Sequence, residues 1–292
     1  MNSRRRYLYL LPAMMLMACV AGERRSVTIT RTWNVDQIKR VHVNEVNGSV
    51  DVEAGEPNQI ALTAHVRAYR KPEPNEDNQG YFKTDVTGDT LEIGRKQHHR
   101  VRFIGFNFGE DVSVDYQLKV PPALALELRT VNGRIATKGI DGATEARSVN
   151  GEINLENAGS AEVDAHTVNG RVMCKFVRDF QGAKLKTVNG RVTAVLPPTA
   201  SFACDLSQVN GDFEASFPLS IHSHRGSRRV QGDVNGGKYE LRISTVNGDI
   251  RLENAAPPVP PTPPSAQALP GAQAQPALPA PPASPAAPQP RT

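Results

Sequence analysis

Over much of the chain, apolar and polar positions alternate in short runs that fall into phase around one tripeptide, Val-Asn-Gly. It occurs in NEVNGS (44–49), RTVNGR (129–134), RSVNGE (147–152), HTVNGR (166–171), KTVNGR (186–191), SQVNGD (207–212) and STVNGD (244–249). Counted from the asparagine, position −4 is Val43, Leu128, Ala146, Ala165, Leu185, Leu206 or Ile243. Position −1 is always Val, and position +3 is Val50, Ile135, Ile153, Val172, Val192, Phe213 or Ile250. Alternation of period two on both sides of the tripeptide predicts half-buried β-strands that meet at a corner. The apolar positions −4, −1 and +3 are expected to line the core.

Asparagines 132, 150, 169, 189 and 210 follow one another at steps of 18 to 21 residues, and Asn247 comes after a step of 37. A near-constant period marks a repeat architecture. Asn-Gly is also the strongest short hairpin signal, but residues flanking a two-residue turn pair and share a face. Here that would set Val131 against Arg134. A three-residue loop pairs Val131 with Ile135, yet in the following unit it sets Arg147 against Leu155. The pattern therefore predicts an all-β fold, a β-helix-like solenoid of ~20-residue coils whose equivalent residues stack about 4.8 Å apart. Stacked β-hairpins or a sandwich is the alternative.

In a solenoid the tripeptide is a structural corner, made by Asn47 and Gly48, Asn132 and Gly133, Asn150 and Gly151, and Asn169 and Gly170. Asn189 and Gly190, Asn210 and Gly211, and Asn247 and Gly248 complete the set. Glycine is expected to supply a positive φ, and each asparagine amide to bond its counterparts above and below. Val234-Asn235-Gly236 lacks the upstream apolar partner and is not counted as a unit.

Longer alternating runs at 59–70, 89–95 and 111–120 interrupt the repeat. Residues 53–120 are expected as inserted strands that cap the N-terminal end of a solenoid domain spanning 35–254. Residues 222–239 read as a loop-rich excursion inside the double-length coil. Cys174 and Cys204 fall on different inward columns, which predicts two small buried hydrophobes and no disulfide between them.

The two ends differ from the repeat. Arg4-Arg5-Arg6 precede an apolar run from Tyr7 to Ala18, too short for a bilayer-spanning helix of ~20 residues and shaped like an export signal. Leu16-Met17-Ala18-Cys19 resembles a bacterial lipobox, which implies removal of residues 1–18 and lipidation of Cys19. SRRRYL (3–8) also resembles a twin-arginine export signal. Residues 19–34 would then be a lipidated N-terminus and linker. From 255 to 292 the chain is rich in Pro, Ala, Gln and Ser with Arg291 as its only charge, the composition of a disordered, extended tail. The formal charge of +4 falls to +1 once the three signal arginines are gone. A domain that binds nucleic acid needs a clear basic excess, and none is left.

At this point the chain resembles a family of bacterial exported β-strand-repeat proteins, labelled "putative adhesins" and classed as a domain of unknown function. The resemblance covers about residues 35–254. It rests on the order and spacing of IKRVHVNEVNGSVDVEAGE, DVSVDYQLKVPPALALELRTVNGRIAT, the TVNG units and GGKYELRISTVNGDIRLEN. It implies a repetitive β-solenoid outside the cytoplasm and carries over no catalytic residues.

Candidate chemistry is thin. His222 with His224, and His98 with His99, have no accompanying ligands at metal-binding spacing. No Gly-x-Ser-x-Gly motif occurs, and no glycine loop leads into a helix as a nucleotide site requires. Glu127, Glu145, Glu162 and Glu240 are expected to recur at equivalent outward places, a repetition that suits coil-to-coil stacking with Arg and Lys better than acid–base catalysis. The clusters RKQHHRVR (95–102) and HRGSRR (224–229) have the chemistry to meet anionic head groups or acidic polymers. The reading is a non-catalytic lipoprotein of the bacterial cell envelope, at the outer membrane or facing the periplasm. Its lipid anchor would hold it to the membrane while the β-repeat presents an adhesin-like or structural surface to an envelope polymer or protein. No cofactor, metal or nucleic acid is expected. The alternatives are a carbohydrate-active enzyme built on a β-helix and an envelope sensing or regulatory accessory.

Overall fold

The computed structural model describes residues 25–68, 82–95, 112–158, 161–177, 180–224 and 227–255. Cys19 and the segment expected as an export signal, His98, His99, most of the 95–102 cluster and the Pro-rich residues expected as a tail lie outside the described residues, as do the side chains of His222 and His224.

Strand β1 (Arg25–Asn34) opens the domain, so the residues expected as the end of a linker are regular structure. The first repeat unit follows as β2 (Arg40–Asn44) and β3 (Val50–Ala54), one strand on each side of its corner. The insertion supplies β4 (Gln59–Ala68), β5 (Phe82–Thr87), β6 (Thr90–Arg95) and β7 (Ser113–Val120). Four further units give β8 (Ala125–Arg129) and β9 (Ile135–Lys138), β10 (Thr144–Arg147) and β11 (Ile153–Ala158), β12 (Val163–His166) and β13 (Val172–Phe176), then β14 (Ala183–Lys186) and β15 (Val192–Leu196). The unit at Asn210 forms β16 (Phe202–Asn210) and β17 (Phe213–Ala215). Next come β18 (Ser220–His224) and β19 (Ser227–Val234), and the last unit forms β20 (Tyr239–Asn247) and β21 (Ile250–Asn254). Residues 222–239, expected as loop, are thus largely an antiparallel strand pair. Alternation in SIHSH and SRRVQGDV satisfies their backbone groups against each other and against β16.

Every coil gives one strand to each of two sheets. The first sheet runs β1-β4-β7-β3-β9-β11-β13-β15-β21-β17, and the second runs β18-β19-β16-β20-β14-β12-β10-β8-β2-β6-β5. Within the stack the pairing is parallel and in register, with Ile153 beside Ile135 and Val172, and Ala146 beside Leu128 and Ala165. This is a β-solenoid and not a stack of hairpins. Antiparallel strands occur only toward the ends of the sheets: β1 on β4 on β7 and β5 on β6 at one end, β18 on β19 on β16 at the other.

Spatial order departs from chain order at the C-terminal end. The unit of Asn247 does not close the stack. Its strands lie between those of Asn189 and those of Asn210, because β20 pairs with β14 and β16, and β21 with β15 and β17. The same device operates at the start, where β6 and β7 lie on one side of the first unit and β8 and β9 on the other.

The core fills the space between the sheets. In the second sheet positions −6, −4 and −2 point inward; in the first, +3 and +5 do. Val41, Leu126, Val163 and Leu241 form one column, and Val52, Leu155, Cys174 and Leu252 another, all essentially inaccessible to solvent. Aromatic rings close both ends. Phe82 meets Tyr116 edge-on at 5.6 Å near the N-terminal cap, while Phe180 and Phe217 meet Phe202 edge-on at 5.9 and 5.4 Å near the other end. Burying an aromatic side chain of this size stabilises by about 1.5–3 kcal/mol. These rings replace the neighbouring coil that a terminal unit lacks.

Candidate functional site

The corner is the repeated element, and three contacts build it. Each asparagine donates its Nδ2 to the Oδ1 of the asparagine in the adjacent coil: Asn132 to Asn47, Asn150 to Asn132, Asn169 to Asn150, Asn189 to Asn169, Asn247 to Asn189 and Asn210 to Asn247, at 2.8–2.9 Å. The backbone reinforces the column, since Asn169 N donates to Val149 O at 2.8 Å and Gly170 N to Asn189 O at 3.0 Å.

The glycines serve close approach more than torsion. A Cβ on Gly133, Gly151 or Gly170 would lie 1.8, 1.8 or 2.1 Å from the carbonyl oxygen of the glycine in the preceding coil. None of these three has a positive φ in the left-handed region, so the expected torsional reason does not hold for them. The coils simply leave no room for a side chain there.

The third contact involves position −2, a place whose polar residues gave no expectation of burial. Thr130, Ser148, Thr167, Thr187 and Thr245 are buried, and each hydroxyl donates to a glycine carbonyl of the adjacent coil: Gly48, Gly133, Gly151, Gly170 and Gly190 in turn, at 2.9–3.3 Å. Gln208 does the same toward Gly248 at 2.7 Å. In the first unit Glu45 takes the place, and its Oε1 accepts from Val46 N and Asn47 N at 2.9 and 3.1 Å. The recurrence of Thr or Ser two residues before Asn was the available signal. Asn235, by contrast, sits in a turn at φ 51° and bonds Pro198 O and Ala200 O, away from the column.

Position −1 corrects an expectation. With −2 inward, the valines point out. Val46, Val131, Val149, Val209 and Val246 are 38–48% exposed, and Val168 and Val188 are half-buried. Stacked coil on coil, they form a ridge of seven side chains that extends for roughly 29 Å at the strand spacing of about 4.8 Å. The valine and asparagine columns contain no ionisable residue.

The outward faces are charged, and many of the charges are paired. On the second sheet Arg129 lies 2.7 Å from Glu127 and 3.2 Å from Glu145, while Arg147 lies 2.6 Å from Glu145 and 3.5 Å from Asp164. The hydrogen bond from Arg147 holds the Glu145 carboxyl below its usual range, and Glu145 in turn raises Arg147. Burial, then Lys186 and Arg147, lower the pKa of His166. On the first sheet Lys119, Glu53, Lys138, Glu156 and Lys175 follow one another across neighbouring strands in strict alternation of sign. At position +2, Arg134, Arg171 and Arg191 are bound to Asp51, Glu152 and Asp249. Arg229, from the 224–229 cluster, is gripped by both oxygens of Asp205 at 2.8 and 2.7 Å.

The four glutamates singled out in the sequence do not share one column. Glu127 and Glu145 stand at position −5 in register, whereas Glu162 and Glu240 stand at −7. A surface depression of about 430 Å³ does bring Arg40, Glu127, Glu145, Glu162 and Asp164 together. A general acid needs a raised pKa, and the shift at Glu145 runs the other way. Glu162 is tied to Lys184 at 2.8 Å. Among the described residues no group of three or more His, Cys, Asp or Glu side chains is placed to hold a metal ion. Cys174 and Cys204 are free and buried; burial pushes the Cys174 thiol far up and that of Cys204 up to about 11.

A two-sheet parallel solenoid with a column of stacked asparagine corners defines a class of repeat domain. The family described as Toastrack DUF4097 matches residues 14–253, and the chain belongs to that family. No curated protein matches the sequence. Similar solved structures include a "putative cell adhesion protein" from Clostridium sporogenes, 10% identical, covering 79% of this chain and 100% of its own with a TM-score of 0.42. A "putative adhesin" from Bacteroides fragilis is 11% identical, covering 78% and 97%, with a TM-score of 0.30. A "putative lipid binding protein" from Parabacteroides distasonis has the same identity and coverage with a TM-score of 0.27.

Proposed function

We propose that the protein is a non-catalytic envelope lipoprotein whose solenoid is an adhesin-like scaffold, with the valine ridge as the surface that meets the ligand. One observation carries this reading. The charges of the outward faces are largely consumed in ion pairs, while the valine column leaves five of its seven side chains 38–48% exposed, with the half-buried Val168 and Val188 between Val149 and Val246. A contiguous exposed apolar strip on a soluble domain marks an interaction site. The ridge is one residue wide, far short of the ~800 Å² per partner of a standard protein interface. Its neutrality and width suit an uncharged, elongated envelope polymer that lies along the stack and hydrogen-bonds to the amide column.

Charging the ridge tests this. Val131→Lys with Val149→Lys is expected to abolish co-sedimentation of the purified protein with isolated cell-wall polysaccharide. Exposed substitutions of this kind usually change stability by less than about 0.5 kcal/mol, so the melting temperature is expected to hold. Undiminished co-sedimentation would remove the ridge from the proposal. The anchor is tested separately: Cys19→Ser is expected to move the protein from the membrane fraction to the soluble exported fraction. Unchanged fractionation would sink the lipoprotein assignment.

A further inference from the structure

Strand β1 ends the first sheet, and among the described residues no strand pairs with its outer edge. The other edges are short or covered. β17 has three residues and is followed by the buried Phe217; β18 has five; β5 has six and carries the Lys83–Asp85 pair. β1 is ten residues long, contains no proline and pairs with β4 along its whole length. Natural proteins blunt such edges with proline, bulges or inward charges. The inward charge here is engaged: Arg31 lies over the Phe82 ring at 5.8 Å and donates to Thr84 Oγ1 at 2.5 Å.

The register shows what the edge can accept. Asn34 pairs with Gln59, so the next pair is Val35 with Asn58, and Val35 N donates to Asn58 O at 3.2 Å. Antiparallel pairs alternate between bonded and non-bonded. The odd-numbered residues of β1 therefore bond β4, and the even-numbered ones direct both N–H and C=O at the open edge. Those residues are Ser26, Thr28, Thr30, Thr32 and Asn34, all exposed and all polar. The opposite face carries Val27, Ile29 and Trp33, with Val27 and Trp33 half-buried.

We infer that two copies of this chain associate through β1, antiparallel across a two-fold axis at Thr30, joining their first sheets into one. In this register Thr30 meets Thr30 of the second copy, Thr28 meets the second copy's Thr32, and Ser26 meets its Asn34. Every residue with outward backbone groups meets another of the same kind, and each such pair makes two hydrogen bonds. On the inner face Val27 lies across from Trp33 of the second copy, an apolar cross-strand pair, and Ile29 across from its Arg31. A strand whose bonded positions match themselves under a two-fold is the isologous geometry of homodimers. An unrelated peptide would gain the backbone bonds but not the matching of the polar face.

The test uses the exported Cys19→Ser chain, so that no lipid drives association, in sedimentation velocity and multi-angle light scattering. A species of twice the mass of the single exported chain is expected to build up with concentration. Thr30→Pro deletes an N–H that points to the open edge and makes no bond to β4; proline is tolerated at such sites. This variant is expected to run as a single chain with a melting temperature close to that of the parent. Thr30→Cys fixes the register independently of folding margins. Bonded antiparallel partners have Cα atoms about 5.5 Å apart, inside the disulfide range of about 4.4–6.8 Å, so it is expected to cross-link on mild oxidation. Thr32→Cys, whose copy lies roughly 13 Å away along the strand, is expected not to. A chain that stays monomeric at all concentrations, a Thr30→Pro dimer as tight as the parent, or equal cross-linking at 30 and 32 would each overturn the inference.

Discussion

Replacing Asn169 with alanine probes the corner where it is most repetitive. In the folded chain this amide donates to Asn150 Oδ1 at 2.9 Å and accepts from Asn189 Nδ2 at 2.8 Å. A hydrogen bond contributes about 0.5–1.5 kcal/mol net, because water competes for both partners. The asparagine column is solvent-accessible, which places each bond near the lower end. Losing two bonds should then cost about 1 kcal/mol. Asn47 and Asn210 end the column and hold one such bond each, so their alanine variants should cost about half as much. For a domain of this size, 1 kcal/mol corresponds to a melting shift of about 2–4 °C. Urea and thermal unfolding followed by circular dichroism, on all three variants, read both the loss and the two-to-one ratio. An Asn169→Ala protein as stable as the parent, or an end variant as costly as the interior one, would refute the stacked-amide account.

Gly170→Ala should cost more than about 3 kcal/mol, since its Cβ would sit 2.1 Å from the Gly151 carbonyl oxygen and a backbone has to give way; unfolding by urea measures it, and a mild effect would show that the coils can spread. Glu145 is kept ionised first by its hydrogen bond from Arg147. Its folded pKa is depressed, so its contribution is present above the unfolded value and lost as pH falls through the folded one. The urea midpoint of Glu145→Gln should therefore fall less steeply with acidification than the parent's. Cys174 and Cys204 should resist a thiol reagent in the native state and label fully in denaturant, with Cys204 first to react because it is the less buried of the two; rapid native labelling, read by mass spectrometry, would contradict the burial of both columns.

The inward positions −4 and +3 were legible because apolar chemistry and period two agree there. At −2 and −1 they disagree. Strict alternation from Leu185 puts Thr187 inside and Val188 outside, but the polar hydroxyl and the apolar isopropyl suggest the reverse. The structure follows the period: Thr187 is 1% exposed and finds a carbonyl to bond. A buried hydroxyl with a partner costs little, and that partner belongs to another coil, which a single repeat cannot reveal. The same holds for Gly133, Gly151 and Gly170, whose need for space comes from the adjacent coil and not from their own torsions. The position of the Asn247 unit between two earlier ones was illegible for a different reason. A step of 37 residues fixes how much chain is spent, not which side of a neighbour the chain returns to. For the candidate site, residue types pointed to glutamates and histidines, whereas the exposed strip is made of the valines assigned to the core.

That exchange of order at the C-terminal end bears on how the molecule comes apart. In a simple stack the last coil in the chain is also the last in space, and it can fray first, with each loss exposing the next. Here the coil of β20 and β21 is flanked on both faces, so it acts as a keystone. Releasing it separates β16 from β14 and leaves β17 without a neighbour, while the outer coil cannot peel away without dragging the chain that returns through β19. The segment of β20 and β21 is consequently the clasp of the structure, and the stack stays open until residue 254 is in place.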